Sequence, residues 1–135
     1  MTTAIDTSVL MDVFSASPDF LPGSQEALRK ARQLGRIVVC DVVVSELRPL
    51  FRNRETLEKA LFVTLGAEYL PCNAETAMLA GEIFAQYRLA GGTRQHLIPD
   101  FLIAAHAITQ ADALLTRDRG FYRKWFTDLT LIEPQ

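Results

Sequence analysis

Thr2-Thr3-Ala4-Ile5-Asp6-Thr7-Ser8-Val9-Leu10 changes its period halfway along. Thr2 to Ile5 is a short strand-like run, whereas from Val9 the apolar positions Val9, Leu10, Val13 and Phe14 recur with helical spacing. A strand therefore gives way to a helix at Asp6. That puts Asp6 at the carboxyl end of the strand, where open α/β sheets place their ligands. Asp, Thr and Ser are all good N-cap residues, but capping accounts for only one of these three.

The alternation continues outward. Ser15 to Gly23, with two prolines and a glycine, reads as a loop. From Ser24, Ala27, Leu28, Ala31 and Leu34 share one helical face, Arg29, Lys30, Arg32 and Gln33 share the other, and Gly35 closes the helix. Arg36 to Cys40 is β-branched and apolar, a buried strand of the parallel type. Asp41 is then an N-cap candidate for a helix over Val42 to Phe51, bent near Pro49. A further amphipathic helix is expected over Arg54 to Gly66 with Asn53 as its cap, then a short strand at Tyr69-Leu70 stopped by Pro71. Ala74 to Leu89 is the longest periodic segment, with a small-residue face that lets another helix approach closely. Helix Ile98 to Ala111, strand Ala113 to Thr116, a short aromatic helix and a last strand at Leu129 to Ile132 complete the chain. Strands alternating with helices imply a three-layer α/β/α domain with a central, mainly parallel sheet. At 135 residues the whole chain, 1–135, is expected to be a single domain.

The hydrophobic fraction of 49% and charged fraction of 22% describe an ordinary globular protein. No apolar run spans a bilayer and no membrane role is expected. The start of the chain lacks a basic region and an apolar signal core, so the expected location is cytoplasmic. Cys40 and Cys72 lack zinc-ligand spacing and read as buried thiols. The net charge of −2 argues only weakly against a nucleic-acid partner. Setting aside four acidic residues as ligands leaves 12 against 14 Lys and Arg, some clustered at Arg48, Arg52 and Arg54 and at Arg117, Arg119, Arg123 and Lys124. Such clusters suit phosphate contacts or a solvated helix face equally.

Those four acidic residues are Asp6, Glu46, Asp100 and Asp118. Glu46 interrupts the apolar segment Val42, Val43, Val44, Leu47 and Leu50, so it should face a cation or a solvent cleft. Asp100 follows Pro99 at the mouth of an alanine-rich helix, among amides that favour a negative charge. Asp118 lies just past a strand end, with Thr116 before it. Asp112 precedes that same strand and is excluded from the group. Glu82 reads as an exposed helix residue, His96 as a solvated loop residue and His106 as a packed, hydrogen-bonded one. Right-handed crossovers bring Asp6, Asp100 and Asp118 toward one edge of the sheet, and Glu46 can join them from its helix. Gathered there, they raise one another's pKa unless a cation offsets the charge, and oxygen-only ligands select Mg²⁺ or Mn²⁺. Such an ion supports in-line displacement at a phosphodiester.

The segments Ala4-Ile5-Asp6-Thr7-Ser8-Val9-Leu10, Val44-Ser45-Glu46-Leu47, Pro99-Asp100-Phe101-Leu102-Ile103-Ala104-Ala105-His106-Ala107 and Leu115-Thr116-Arg117-Asp118-Arg119-Gly120-Phe121 resemble the four blocks of PIN-domain ribonucleases. Size and block order are similar to the VapC-type toxins of toxin–antitoxin pairs. The resemblance implies a PIN-like fold and an Mg²⁺ or Mn²⁺ site of Asp6, Glu46, Asp100 and Asp118 that cleaves RNA. Thr7, Ser8 and Thr116 match positions that support the ligands, and Arg94, Arg117 and Arg119 are candidates for the RNA backbone. It further implies a homodimer and a cognate antitoxin, with DNA engaged only through that antitoxin. The helices around Glu46 and Arg54 are the expected antitoxin surface. The competing readings are a catalytically silent PIN-like domain that binds RNA or protein, and a phosphohydrolase acting on another ester. The first has no need to keep four mutually repelling carboxylates. The second lacks an Asp-x-Asp pair at Asp6-Thr7-Ser8.

Overall fold

In the computed structural model, which describes residues 1–135, β1 (Thr2–Ile5) is the middle strand of a five-stranded sheet. Its neighbours are β2 (Arg36–Val39) and β4 (Ala113–Leu115), with β3 (Glu68–Tyr69) and β5 (Leu131–Ile132) at the edges. Every pairing is parallel, in the order β3-β2-β1-β4-β5. Ile5, Ile37, Val38, Leu114 and Leu115 are all buried, as strands covered on both faces require.

Helices α1 (Thr7–Phe14) and α2 (Leu21–Leu34) connect β1 to β2, and α3 (Asp41–Leu47) and α4 (Arg54–Glu58) connect β2 to β3. The winding then reverses. Helices α5 (Ala74–Leu89) and α6 (Pro99–Gln110) cross from β3 to β4, and α7 (Arg119–Trp125) leads on to β5. Right-handed crossovers put α5, α6 and α7 on the face opposite α1 to α4, giving three layers. Aromatic packing joins the second group: the Phe101 ring lies 5.4 Å from Phe84, 5.5 Å from Phe121 and 5.5 Å from Phe126 between centroids. The reversal of winding falls between β1 and β4. At such a switch point a crevice opens outside the carboxyl ends of the strands.

Local chemistry adjusts the expected boundaries. The second helix begins at Leu21 instead of Ser24, because Pro22 is accommodated in a first turn and Gly23 lies where a Cβ would meet the Gln135 carbonyl. Cys40, not Asp41, is the N-cap of α3; the Asp41 carboxylate instead accepts the Cys72 N–H at 2.9 Å. Pro49 ends α3 early, and Arg48–Leu50 tightens into a 3₁₀ turn. Asn53 does cap α4, which widens into π winding over Lys59–Thr64. Gly35 closes α2 with φ 153°, beside Met1, where a side chain would collide. The Nε2 of His106, buried on α6, lies 2.7 Å from the Leu70 carbonyl, so this histidine is packed and bonded.

The α5–α6 contact depends on small side chains. Ala80, Ala104 and Ala105 are fully buried, and the Thr76 and Thr109 hydroxyls meet at 2.6 Å across the pair. Ala80→Leu should therefore overpack the contact and lower stability by about 1–3 kcal/mol, measured as a reduced urea midpoint with an unchanged slope.

Candidate active site

Asp6 and Asp118 occupy N-cap positions, of α1 and α7, yet neither side chain makes a capping bond. Asp100 lies in the first turn of α6 after Pro99. The Asp6 carboxylate, only 4% exposed, is turned across the sheet, where its Oδ2 accepts the Thr116 hydroxyl at 2.6 Å and the Ser8 hydroxyl at 3.1 Å. Thr116 Oγ1 in turn accepts the Asp118 N–H at 2.9 Å. One hydroxyl thus ties the ends of β1 and β4 together. On α3, Glu46 accepts the Thr7 hydroxyl at 2.8 Å. Thr7, Ser8 and Thr116 all bond to carboxylates of the group or hold its backbone.

The four carboxylates share one electrostatic field. Burial first, then the charges of Asp6, Glu46 and Asp118, push the Asp100 carboxyl up to about 6. Burial also raises Asp6, against the hydrogen bonds from Thr116, Ser8 and the Thr7 backbone, and Glu46 adds to the rise. The phenol of Tyr122, fully buried, is raised by burial and by the charges of Asp6, Asp100 and Asp118, so it stays protonated. Its hydroxyl donates to Asp100 Oδ1 at 3.4 Å.

The donor set is all oxygen and strongly anionic, which fits a hard divalent ion. No three of these carboxylates bring one oxygen each within 4.8 Å of the others; the group that meets this spacing is Cys40, Asp41 and Cys72.

Asp100 and Asp118 form one wall of a cleft of about 590 Å³, also lined by Arg94, Lys124, Tyr87 and Trp125. Arg94 therefore faces the cleft. Arg117 is engaged elsewhere, with two bonds to Asp12 at 2.7 and 3.0 Å and its guanidinium 3.9 Å from the Phe20 ring centre. Arg119 pairs with Glu133 at 2.8 Å. Asp112 accepts the Thr2 N–H at 2.7 Å, at the opposite end of β1, and Glu82 and His96 are exposed. Two residues escaped the sequence reading. Asp12 sits in Leu10-Met11-Asp12-Val13, a carboxylate in an apolar run like Glu46, and that signal marks it as buried and partnered. Tyr122 is hidden in an aromatic segment, where nothing distinguishes a hydroxyl that faces a carboxylate.

A doubly wound parallel sheet with acidic side chains gathered at its switch point defines the PIN-like α/β/α class. Residues 3–126 match the model of the PIN domain, and the chain belongs to that family, whose members are generally nucleases that use divalent metals. No curated protein matches the chain significantly. Several solved structures share the fold. A chain of VapBC2 from Rickettsia felis, bound to a DNA fragment from the promoter, is 21% identical with a TM-score of 0.76, covering 100% of both chains. VapBC-1 from nontypeable Haemophilus influenzae is 19% identical with a TM-score of 0.74, covering 98% of each. VapBC-5 from Mycobacterium tuberculosis, of the VapBC family of toxin-antitoxin systems, is 20% identical with a TM-score of 0.55, covering 99% of this chain and 98% of that one.

Two outcomes follow from the geometry. Asp100 binds more protons folded than unfolded between its ordinary 3.8 and about 6, so its ionisation lowers stability as pH rises through that window. In chelator-treated protein, Asp100→Asn should raise the melting temperature at pH 7 by a few degrees and flatten that decline, as calorimetry across pH will record. Arg117→Ala strands the buried Asp12 and should cost about 2–4 kcal/mol in urea unfolding, with most of the loss recovered when Asp12→Ala is added.

Proposed function

We propose that residues 1–135 act as a single PIN domain that hydrolyses RNA phosphodiester bonds as a metal-dependent endoribonuclease, the toxin of a toxin–antitoxin pair. The observation that carries the reading is the convergence of Asp6, Glu46, Asp100 and Asp118, strong enough to raise the Asp100 carboxyl to about 6 by burial and their charges. A site held in that state by Thr7, Ser8 and Thr116 is costly unless a cation is bound in use. These carboxylates are the residues that would hold Mg²⁺ or Mn²⁺. When bound, the ion supplies a water of lowered pKa and offsets charge developing on the phosphate.

The chain's own groups then divide the remaining work. Arg94 and Lys124 bind the RNA backbone along the cleft, since both are cationic and line its wall. Tyr122 orients Asp100 by donating to one of its oxygens. Thr116 keeps Asp6 and Asp118 in register across the two strand ends.

The antitoxin assignment draws on the fold shared with the VapBC structures, one of which belongs to a toxin-antitoxin system and another of which is bound to promoter DNA. We assign the antitoxin to a groove of about 1090 Å³ between α3 and α4, lined by Val44, Arg48, Leu57, Phe62, Val63 and Tyr69. DNA would be engaged only through the antitoxin, and the toxin would act as a homodimer in the cytoplasm. No helix is long and apolar enough to cross a membrane.

Incubation of the purified chain with RNA and Mg²⁺ or Mn²⁺ should yield cleavage that a chelator abolishes. Asp6→Asn and Asp100→Asn should eliminate it, and Thr116→Val should reduce it by roughly 10- to 100-fold. Equal activity in wild type and both Asn variants refutes the carboxylate site. Failure to cut any RNA under all conditions favours a silent RNA- or protein-binding domain.

A further inference from the structure

Cys40 and Cys72 are far apart in sequence, but the sheet brings them together with Asp41. Parallel pairing sets Val39 beside Tyr69, and Leu70 N–H donates to the Val39 carbonyl at 2.9 Å, so the chain leaves β2 and β3 side by side. Asp41 then fixes Cys72 through its backbone N–H, and His106 holds the Leu70 carbonyl. Both cysteines are free thiols; Cys40 is buried, whereas Cys72 and Asp41 reach solvent, a correction to the expectation that both thiols are buried. One ligand atom from each of the three lies within 4.8 Å of the other two.

We propose that Cys40, Asp41 and Cys72 form a second metal site, separate from the four carboxylates and selective for a thiophilic divalent ion of the zinc class. Tetrahedral coordination, with metal–sulfur distances of ~2.3 Å and metal–oxygen distances of ~2.0–2.2 Å, needs ligand atoms roughly 3.5–3.8 Å apart. With ligand atoms within 4.8 Å of one another, closing to that geometry requires a shift of about 1.3 Å at most, within reach of the partly exposed Cys72 side chain. The backbone around it is already pinned by strand pairing and by the Asp41 bond. Two thiolates and a carboxylate set three negative charges against a divalent ion, enough to neutralise it with one in excess, and thiolate donors favour zinc where the oxygen-only set favours magnesium. Three protein ligands leave a fourth position for water on the side that Cys72 and Asp41 open to solvent. Binding replaces the thiol protons by the metal, so two protons pass to solvent per ion and no electron is transferred. The ion would fasten the start of α3, the helix that carries Glu46, to the segment after β3.

The test is titration of the reduced full chain with Co²⁺. A near-ultraviolet thiolate-to-cobalt charge-transfer band should saturate at one ion per chain, with two protons released per ion in weakly buffered solution. Zn²⁺ should displace the Co²⁺ and bleach the band. Cys72→Ser should abolish the band and Asp41→Asn should weaken binding, while Asp100→Asn should leave the band intact, which separates this site from the carboxylates. Absence of the band at stoichiometric Co²⁺ overturns the proposal. So does a band that survives in Cys72→Ser, or one that saturates at one ion per two chains with chain association in sedimentation.

Discussion

Asp6 is acidic and nearly excluded from water, between the carboxyl ends of two parallel strands. Desolvating a carboxylate there is unfavourable, and the fold offsets it with hydroxyls that come from both sides of the switch point. Ser8 reaches back from the first turn of α1 and Thr116 reaches across from the end of β4. Because Thr116 also accepts the Asp118 amide, the same contact that stabilises Asp6 positions a second carboxylate. Glu46 is brought in by Thr7, so α1, α3 and the loop after β4 meet around one short segment, Asp6-Thr7-Ser8.

A helix start would ordinarily consume such side chains. At α1 and α7 the aspartates occupy the N-cap yet leave the amides, and at α6 Pro99 removes one amide that would otherwise require a partner. The helix N-termini still favour negative charge through the dipole, without holding the carboxylates in capping geometry. Charge is therefore concentrated at a place where backbone dipoles partly oppose the cost. The remainder is visible in the raised Asp100 carboxyl.

Cations around the site divide by whether a carboxylate already pairs with them. Arg117 is part of the scaffold: its pair with Asp12, joined by Ser24 at 2.8 Å, secures α1 and α2 to the loop carrying Asp118. Arg119 similarly braces α7 against Glu133 beyond β5. Arg94 and Lys124 line the open wall beside Asp100 and Asp118. A count of basic residues does not separate these two uses, because the difference lies in which arginine is paired with a carboxylate across the fold.

The class of fold and the four carboxylates were legible in the sequence because they follow from local rules. A change from strand-like to helical spacing locates Asp6, an acidic interruption of an apolar helix marks Glu46, and Pro99 places Asp100 in a first turn. Those signals extend over a few residues and survive without knowledge of neighbours. What they do not carry is long-range pairing. That Thr116 bonds to Asp6 across 110 positions, that Tyr122 faces Asp100, that Arg117 belongs to Asp12, and that Cys40 and Cys72 share a pocket with Asp41 all depend on the order β3-β2-β1-β4-β5. The sequence alone determined which segments end in carboxylates, since periodicity and turn chemistry are local. Only the tertiary structure decided which side chains those carboxylates meet, since parallel strands are brought together by crossovers whose partners no local pattern specifies.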